Sequence, residues 1–333
     1  MEKILEVKDL HVTFTTYGGT VQAVRGVDFH LNKGETLAIV GESGCGKSVT
    51  SNAIMGLIPN PPGKISGGKI LFKGKDLTKL QEKKMRSIRG VDISMIFQDP
   101  MTALNPTLTI GTQLMEGLKQ HRKVSDKEAK KRALEMMDLV GIPNPEERMK
   151  QYPHQFSGGM RQRIVIAIAL ICEPELLIAD EPTTALDVTI QAQILELFEK
   201  IQEVTGVSII LITHDLGVVA KIADRIAVMY AGKIIETGTK REIFYKPQHP
   251  YTRGLLNSVP RLDAKGKLKP IDGTPPDLFS PPKGCPFTAR CPMAMEVCNK
   301  IYPGSTTLSD SHSVDCWLQD ERAKQLLATM VTN

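Results

Sequence analysis

The chain has 333 residues, of which 41% are hydrophobic and 24% are charged, a composition typical of globular proteins and unlike that of disordered, collagenous or disulfide-rich chains. Its net charge is +5, from 42 basic and 37 acidic residues, and this near balance gives no indication of nucleic acid or an anionic membrane as a partner. The longest apolar runs, such as residues 163–172, are well short of the roughly 20 residues that a membrane span requires. With Glu2 and Lys3 at its start and no apolar signal core, the sequence predicts a cytosolic protein.

The N-terminal part of the sequence predicts β-strands over about the first 40 residues and then a helix. Apolar and β-branched residues alternate with polar ones from Leu5 onward, which is typical of β hairpins, and residues 37–40 are continuously apolar, as in a buried parallel strand. A helix is expected after Lys47. Further apolar runs at 176–179 and 209–213, separated by a helical pattern over 189–204, predict an α/β fold with a parallel sheet.

A phosphate-binding loop is indicated between the first buried strand and its helix. Glycines allow successive backbone N–H groups to point at a phosphate, and the positive N-terminal end of the following helix adds to the attraction. We expect Lys47 to reach the β- and γ-phosphates of a nucleotide and Ser48 to ligate Mg²⁺. The predicted nucleotide contacts of this segment are Gly41, Glu42, Ser43, Gly44, Cys45, Gly46, Lys47, Ser48 and Val49.

Two carboxylates, Asp180 and Glu181, follow the predicted strand at 176–179. Asp180 is placed to hold Mg²⁺ through water, and Glu181 is placed to polarise a water that attacks the γ-phosphate. For this segment alone, two acids that end a strand in solvent are an equally good interpretation. The phosphate loop upstream favours the catalytic one.

The order of these motifs resembles the nucleotide-binding subunit of an ATP-binding cassette (ABC) transporter over about residues 4–245. The resemblance rests on the phosphate loop, Gln98 after a predicted strand at 95–97, Ser157-Gly158-Gly159 before a predicted helix at 161–170, Asp180-Glu181, Asp187 and His214. It implies a P-loop NTPase cassette with a parallel core sheet, an antiparallel β subdomain and a helical subdomain at about 99–173. It also implies an ATPase that couples hydrolysis of ATP to ADP and phosphate with translocation.

The resemblance further implies roles for single residues. Gln98 would sense Mg²⁺ and touch the membrane subunit, and His214 would orient the γ-phosphate and the attacking water, which makes Glu181, His214 and Lys47 the catalytic set. Phe14 would stack on adenine, with Tyr17 close by as the alternative.

Other residues would complete the site of an opposing subunit. Ser157, Gly158 and Gly159 resemble the signature motif, which binds the γ-phosphate of ATP held by that subunit. Asp187 lies in the loop that would join the two active sites. The Mg²⁺ ligands implied for the chain's own site are Ser48, Gln98 and Asp180.

After about residue 239 the sequence becomes proline-rich and loses its periodicity, which predicts a second module at 246–333 after a cassette at 1–245. Residues 246–256, Lys-Pro-Gln-His-Pro-Tyr-Thr-Arg-Gly-Leu-Leu, resemble the C-terminal extension of dipeptide and oligopeptide importers. This implies a peripheral subunit at the cytoplasmic face of the membrane that powers peptide import. Its implied partners are a second, related ABC ATPase in a heterodimer, two membrane permease subunits and, indirectly, an extracytoplasmic peptide-binding protein.

Other functions remain open on the sequence. They are an ATPase subunit of a nickel or other small-solute importer, a soluble non-transport ABC ATPase, and an iron–sulfur electron carrier that binds nucleotide.

Four of the six cysteines lie close together in the tail: Cys285, Cys291, Cys298 and Cys316. In a cytosolic protein, such a group indicates metal or redox chemistry before disulfides. Their spacing lacks the Cys-x-x-Cys pair of small zinc modules, and the prolines after Cys285 and Cys291 suit an iron–sulfur cluster. The importer subgroup includes members with a [4Fe–4S] cluster, which the resemblance implies here as a structural support for the tail. Zn²⁺ and unligated or disulfide-forming thiols remain alternatives, and Cys45 and Cys172 are predicted to be small buried residues.

Overall fold

The computed structural model describes residues 2–98, 100–184, 186–258 and 270–325. These residues form two compact units. The first unit comprises residues 2–5, 30–36, 71–98, 100–184 and 186–213, and the second comprises residues 6–29, 37–70, 214–258 and 270–325. Asp99, where the helical subdomain is expected to begin, lies outside the described residues, and the predicted division of the chain near residue 245 stays a prediction.

The strands of the described residues include long β-rich segments at the N-terminus and short buried runs later. They are β1 (Lys3–Thr16), β2 (Gly19–Asn32), β3 (Thr36–Val40), β4 (Gly63–Phe72), β5 (Lys75–Asp76), β6 (Ile93–Ile96), β7 (Leu176–Asp180), β8 (Ser208–Thr213), β9 (Arg225–Tyr230), β10 (Lys233–Thr239), β11 (Thr306–Thr307) and β12 (Ser313–Val314).

The α-helices of the described residues are α1 (Lys47–Ile54), α2 (Glu82–Ile88), α3 (Pro100–Ala103), α4 (Ile110–Arg122), α5 (Asp126–Leu139), α6 (Pro145–Arg148), α7 (Gly158–Leu170), α8 (Val188–Thr205), α9 (Leu216–Ile222), α10 (Lys240–Tyr245), α11 (Pro250–Asn257) and α12 (Glu296–Lys300). None of them is long and apolar enough to cross a bilayer.

In the first unit, three parallel strands lie in the order β8-β7-β6. Ile178 of β7 pairs with Met95 of β6 on one side and with Ile210 of β8 on the other. Every residue of these strands is buried, which is why they read as continuous apolar runs. The predicted strand at 95–97 is wrong at its end, because β6 stops at Ile96 and the Phe97 side chain is 49% exposed.

The helical insertion of the first unit follows the predicted amphipathic pattern. In α5, Ala129, Ala133 and Met137 are buried at intervals of four residues, while the charged residues lie on the outer face. Ser125 caps α5, because its side chain accepts a hydrogen bond from the N–H of Glu128. The predicted helix at 161–170 begins earlier than expected, at Gly158.

In the second unit, one group of strands lies in the order β11-β12-β10-β9-β3. β3 runs parallel to β9, whereas β9, β10 and β12 are antiparallel neighbours, so the sheet is mixed. Of the β hairpins predicted for the N-terminal segment, one is present, formed by β1 and β2, which are neighbours joined by residues 17–18, with β4 on the other side of β1; β3 lies in the other group of strands.

The proline-rich tail packs onto this mixed sheet. β12 pairs with β10 through Glu236 and Val314. The Glu236 carboxylate is buried and accepts hydrogen bonds from the N–H groups of Gln248 and His249, and it lies 2.8 Å from Nε2 of His312. Tyr251 is fully buried in the same apolar core as β3 and β9. The tail thus forms helices and strands although its sequence lacks a regular hydrophobic periodicity.

Candidate functional site

The predicted phosphate loop links β3 to α1 in the second unit. Gly46 has a φ of 106°, and a Cβ atom there would lie 2.5 Å from the carbonyl oxygen of Ala23. A Cβ atom on Gly41 would collide with the carbonyl oxygen of Met229. Both positions therefore require glycine, the first for its left-handed backbone and both for the close approach of neighbouring chain.

Lys47 is buried at the start of α1 and points back to the loop. Its Nζ donates hydrogen bonds to the carbonyl oxygens of Gly41, at 2.8 Å, and Glu42, at 3.1 Å. The Cys45 thiol is buried nearby, as predicted, and its burial raises its pKa. The ammonium group is thus held inside the segment that is predicted to bind phosphate.

The remaining loop residues differ in exposure. Ser43 and Gly44 are exposed at the tip, Ser48 is exposed in the first turn of α1, and Val49 is half-buried. The Ser48 hydroxyl is therefore accessible to a metal ion that accompanies the phosphates.

Glu42 makes two contacts that the sequence did not predict. Its carboxylate accepts two hydrogen bonds from Arg290, and its N–H donates to the hydroxyl oxygen of Tyr251. Arg290 lies between two of the tail cysteines, and Tyr251 belongs to the His-Pro-Tyr stretch that carried the importer resemblance. Neither had a role assigned from sequence, because only the folded chain brings the tail to the loop.

Three more predicted residues of the second unit differ in exposure, and Phe14 is half-buried among them. The Phe14 ring packs over Gly63, where a Cβ atom would come within 2.6 Å of the ring. Tyr17 lies in the turn between β1 and β2 with its side chain fully exposed. His214 follows β8 and is exposed. The adenine contact of Phe14 or Tyr17 and the switch role of His214 stay predictions.

In the first unit, the structure brings together Gln98 and Glu181. The Gln98 amide donates a hydrogen bond of 3.0 Å to Oε2 of Glu181, and the Thr184 hydroxyl donates one of 3.1 Å to the same oxygen. Glu181 has a φ of 48°, which is uncommon for a residue with a side chain and typical of functional sites. Both residues follow buried parallel strands, β6 and β7, so their side chains meet at the carboxyl ends of the strands.

Asp180 ends β7 and is buried. The two predicted acids therefore lie in different environments. Asp180 is inside the unit, whereas Glu181 is half-buried beside the amide donor of Gln98. This arrangement is unlike two acids that end a strand in solvent.

The predicted signature residues cap α7. The Ser157 hydroxyl accepts a weak hydrogen bond of 3.4 Å from the N–H of Met160. Ser157 and Gly158 are exposed, and a Cβ atom on Gly159 would come within 2.8 Å of the Ile190 side chain. Asp187 is an exposed cap of α8 and accepts a hydrogen bond of 2.9 Å from the N–H of Ile190. Ala185, in the same loop, lies outside the described residues.

The four tail cysteines line one pocket of the second unit. The pocket is also lined by His249, Pro250, Phe287, Thr288, Met293, Trp317 and Leu318. All six cysteines of the chain have free thiols. Burial raises the pKa of Cys285 to about 11 and that of Cys316 to about 12, and it also raises the pKa of Cys291. The predicted grouping of the cysteines is therefore present, but a disulfide is not.

His249 presents an unused nitrogen within the tail. Its Nδ1 accepts a hydrogen bond of 3.0 Å from the N–H of Tyr251, whereas its Nε2 is buried and has no hydrogen-bond partner among the described residues. Burial, with a smaller contribution from the charge of Arg253, lowers the pKa of His249 to about 3. The ring is therefore neutral at physiological pH.

No three His, Cys, Asp or Glu side chains within residues 2–98, 100–184, 186–258 and 270–325 are arranged so that they could hold a metal ion. This observation supports neither the predicted [4Fe–4S] cluster nor the zinc alternative for the tail.

Two protein families match the chain in different regions. The family described as "ABC transporter" matches residues 24–184, and the family described as "Oligopeptide/dipeptide transporter, C-terminal region" matches residues 235–298. The dipeptide transport ATP-binding protein DppD of Bacillus subtilis (strain 168) is 73% identical over 325 residues, which cover 97% of each chain. The oligopeptide transport ATP-binding protein OppD of the same organism is 63% identical over 95% of this chain and 89% of its own.

A solved structure supports the fold of the cassette. A dimeric ATP-binding cassette in a post-hydrolysis state, bound to ADP and phosphate, is 28% identical to this chain, with a TM-score of 0.64, over 71% of this chain and 99% of its own. The fold is thus the α/β fold of an ABC cassette, a P-loop NTPase, as predicted, and it has mixed sheets where a parallel core sheet was expected. The chain belongs to the family of ATP-binding subunits of dipeptide and oligopeptide ABC transporters.

Proposed function

We propose that the chain hydrolyses MgATP at the cytoplasmic face of the membrane to power import of dipeptides or oligopeptides. The hydrogen bond between Gln98 and Glu181 supports the catalytic part, because it joins a side-chain amide to the carboxylate that we propose as the general base. The match of residues 235–298 to the peptide-transporter C-terminal region supports the choice of cargo. The nickel importer and the soluble ATPase are not favoured, since the relatives named above are peptide transport proteins.

The residues divide the work of hydrolysis. The N–H groups of the phosphate loop and Lys47 would hold the β- and γ-phosphates, and Ser48, Asp180 and Gln98 are the residues that would hold Mg²⁺. Glu181 accepts the proton of the attacking water, and Gln98 orients its carboxylate. His214 contacts the γ-phosphate, and Phe14 or Tyr17 stacks on adenine.

A second subunit completes the site. Ser157 and Gly158 expose the N-terminal end of the long helix α7, where N–H groups and the helix dipole favour a phosphate from outside the chain. The proposed arrangement is a heterodimer with a related ABC ATPase, in which Asp187 joins the two sites. The dimer would act on two permease subunits supplied by an extracytoplasmic peptide-binding protein, and the helical segment before the signature would face the permeases.

Uptake measurements test the cargo. Cells that lack this chain should lose uptake of a radiolabelled dipeptide or oligopeptide and regain it with the wild-type chain, whereas nickel uptake should be the same in both. Rescue of nickel uptake without peptide uptake would contradict the peptide assignment.

We infer that Cys285, Cys291, Cys298 and Cys316 hold a [4Fe–4S] cluster. All four line one pocket, and four cysteine thiolates are the ligand set that would hold such a cluster. When bound, the cluster would cross-link a tail that has a small core of its own.

The unused nitrogen of His249 supports this donor set. Since Nδ1 accepts a hydrogen bond from Tyr251, it carries no proton, and the proton of the neutral ring lies on Nε2. A buried N–H without an acceptor is costly. Thiolate or sulfide in the cysteine pocket, which His249 lines, would supply the missing acceptor.

Two substitutions separate the two nitrogens of His249. His249→Asn keeps an acceptor for the Tyr251 N–H but removes the distal donor, whereas His249→Gln keeps a distal donor and removes the cap. Because hydrogen bonds to cluster sulfurs affect the reduction potential, His249→Asn should make the potential more negative, measured by redox titration of the purified full chain. His249→Gln should keep the potential and lose about 1 kcal/mol of unfolding free energy. A wild-type potential in His249→Asn would show that Nε2 does not donate to the cluster.

A further inference from the structure

The tail clamps the side chain of a phosphate-loop residue. Arg290 donates hydrogen bonds of 2.7 Å from Nη1 and 2.9 Å from Nη2 to the two carboxylate oxygens of Glu42. The Arg290 side chain is only 5% exposed. A bidentate arginine–carboxylate pair in so buried a place is stronger and more directional than a surface ion pair.

The rest of the Arg290 guanidinium is also occupied. Nη1 donates to the Tyr230 hydroxyl at 3.2 Å, Nη2 to the carbonyl oxygen of Ile271 at 3.1 Å, and Nε to that of Asp272 at 2.9 Å. Together with the two bonds to Glu42, these use the five N–H groups of the side chain. The guanidinium is therefore fixed in one orientation, toward the loop.

A second contact holds the backbone of the same loop residue. The N–H of Glu42 donates a hydrogen bond of 3.0 Å to the Tyr251 hydroxyl. The Tyr251 ring packs against the rings of Tyr230, at a centroid distance of 4.5 Å, and Phe287, at 5.4 Å. These aromatic contacts fix the position of the Tyr251 hydroxyl. Tyr251 therefore holds the main chain of Glu42, and Arg290 holds its carboxylate.

The charge of Glu42 explains why such a clamp matters for nucleotide. Glu42 is the second residue of a loop that receives the negatively charged phosphates of ATP, and it directly follows Gly41, whose carbonyl oxygen is bonded to Lys47. An unpaired carboxylate at this place would repel the phosphates. Arg290 neutralises that carboxylate and directs it toward the tail.

We propose that Arg290 is a positioning residue for ATP binding, which acts by neutralising and anchoring Glu42. This goes beyond the proposed function, in which the tail has no part in the nucleotide site. It does not depend on a metal in the cysteine pocket.

The test is a double-mutant cycle on the full chain with MgATP. Arg290→Gln leaves Glu42 without its charged partner and should raise the Kd for MgATP about tenfold. Glu42→Gln removes the carboxylate and is the reference background of the cycle. In the double variant Glu42→Gln/Arg290→Gln the Kd should lie within about threefold of that of Glu42→Gln alone, because without the carboxylate Arg290 has no charge to neutralise. Arg253→Gln is the matched control, since Arg253 is an exposed tail arginine bonded to the carbonyl oxygen of Pro247, and it should leave the Kd unchanged.

Steady-state kinetics of the assembled transporter distinguish a positioning role of Arg290 from a loss of folded protein in the Arg290→Gln variant. Arg290→Gln should raise KM for ATP while kcat stays within about twofold, because less active protein would lower kcat instead. A wild-type Kd in Arg290→Gln would overturn the proposal, and so would a tenfold rise in Kd when Arg290→Gln is added to Glu42→Gln. If Arg290→Gln does not fold, Arg290→Lys replaces it, since lysine keeps the charge and loses the bidentate geometry. It should raise KM about threefold, and an unchanged KM would overturn the proposal.

Discussion

Glu181→Gln is expected to lower ATP hydrolysis by at least about 100-fold, because glutamine cannot accept the proton of the attacking water. ATP binding should persist, since Lys47 and the phosphate loop are untouched. The side chain keeps its size, so the contact with Gln98 can re-form. The measurements are phosphate release by the assembled transporter and the Kd for MgATP of the full chain.

A matched control is available on the same unit. Glu203→Gln makes the same chemical change at an exposed position near the end of α8, and it should leave both hydrolysis and binding unchanged. Wild-type turnover in Glu181→Gln would mean that another group is the base. Loss of ATP binding in that variant would instead assign Glu181 to the nucleotide pocket and not to the attack of water.

Cys285→Ala is expected to abolish the metal content of the tail. The wild-type chain, purified without oxygen, should contain about four iron and four sulfide per molecule and absorb visible light. Because a bound group stabilises the folded chain by the free energy of its binding, loss of iron should also lower the melting temperature. Iron and sulfide analysis and thermal unfolding measure the two effects.

Cys172→Ala is the control for a generic loss of a buried thiol. Cys172 is buried beside Leu118, Ala129 and Ile171 in the helical part of the first unit, far along the chain from the tail. Its substitution should leave the iron content unchanged and cost only local packing. Iron-free wild-type protein with stoichiometric zinc would overturn the cluster and revive the zinc alternative.

The apolar strands and the helical faces were predictable from sequence because their signal is local. The buried runs that became β7 and β8 lie between residues that the sequence itself marks as helix or turn. Boundaries were less accurate. Phe97 reads as one more apolar strand residue, but β6 ends before it, and no local pattern says where pairing with the next strand stops.

The sequence singles out candidate site residues but does not predict the contacts between them. Gln98 and Glu181 were both singled out, yet their hydrogen bond joins residues 83 positions apart. The pair of Arg290 with Glu42 spans 248 positions. The sequence around Arg290 contains no pattern that predicts its partner. The partner depends on how β9, β10 and the tail pack together.

The pairing of β12 with β10 has a practical consequence for anyone who would express the cassette alone. A chain cut near residue 245 would lose β12 and leave β10 as an open edge, which invites pairing with other chains. It would also keep the buried carboxylate of Glu236 while removing Gln248, His249 and His312, the residues bonded to it. A soluble form of this cassette should therefore retain the tail, whose strand β12 pairs with β10.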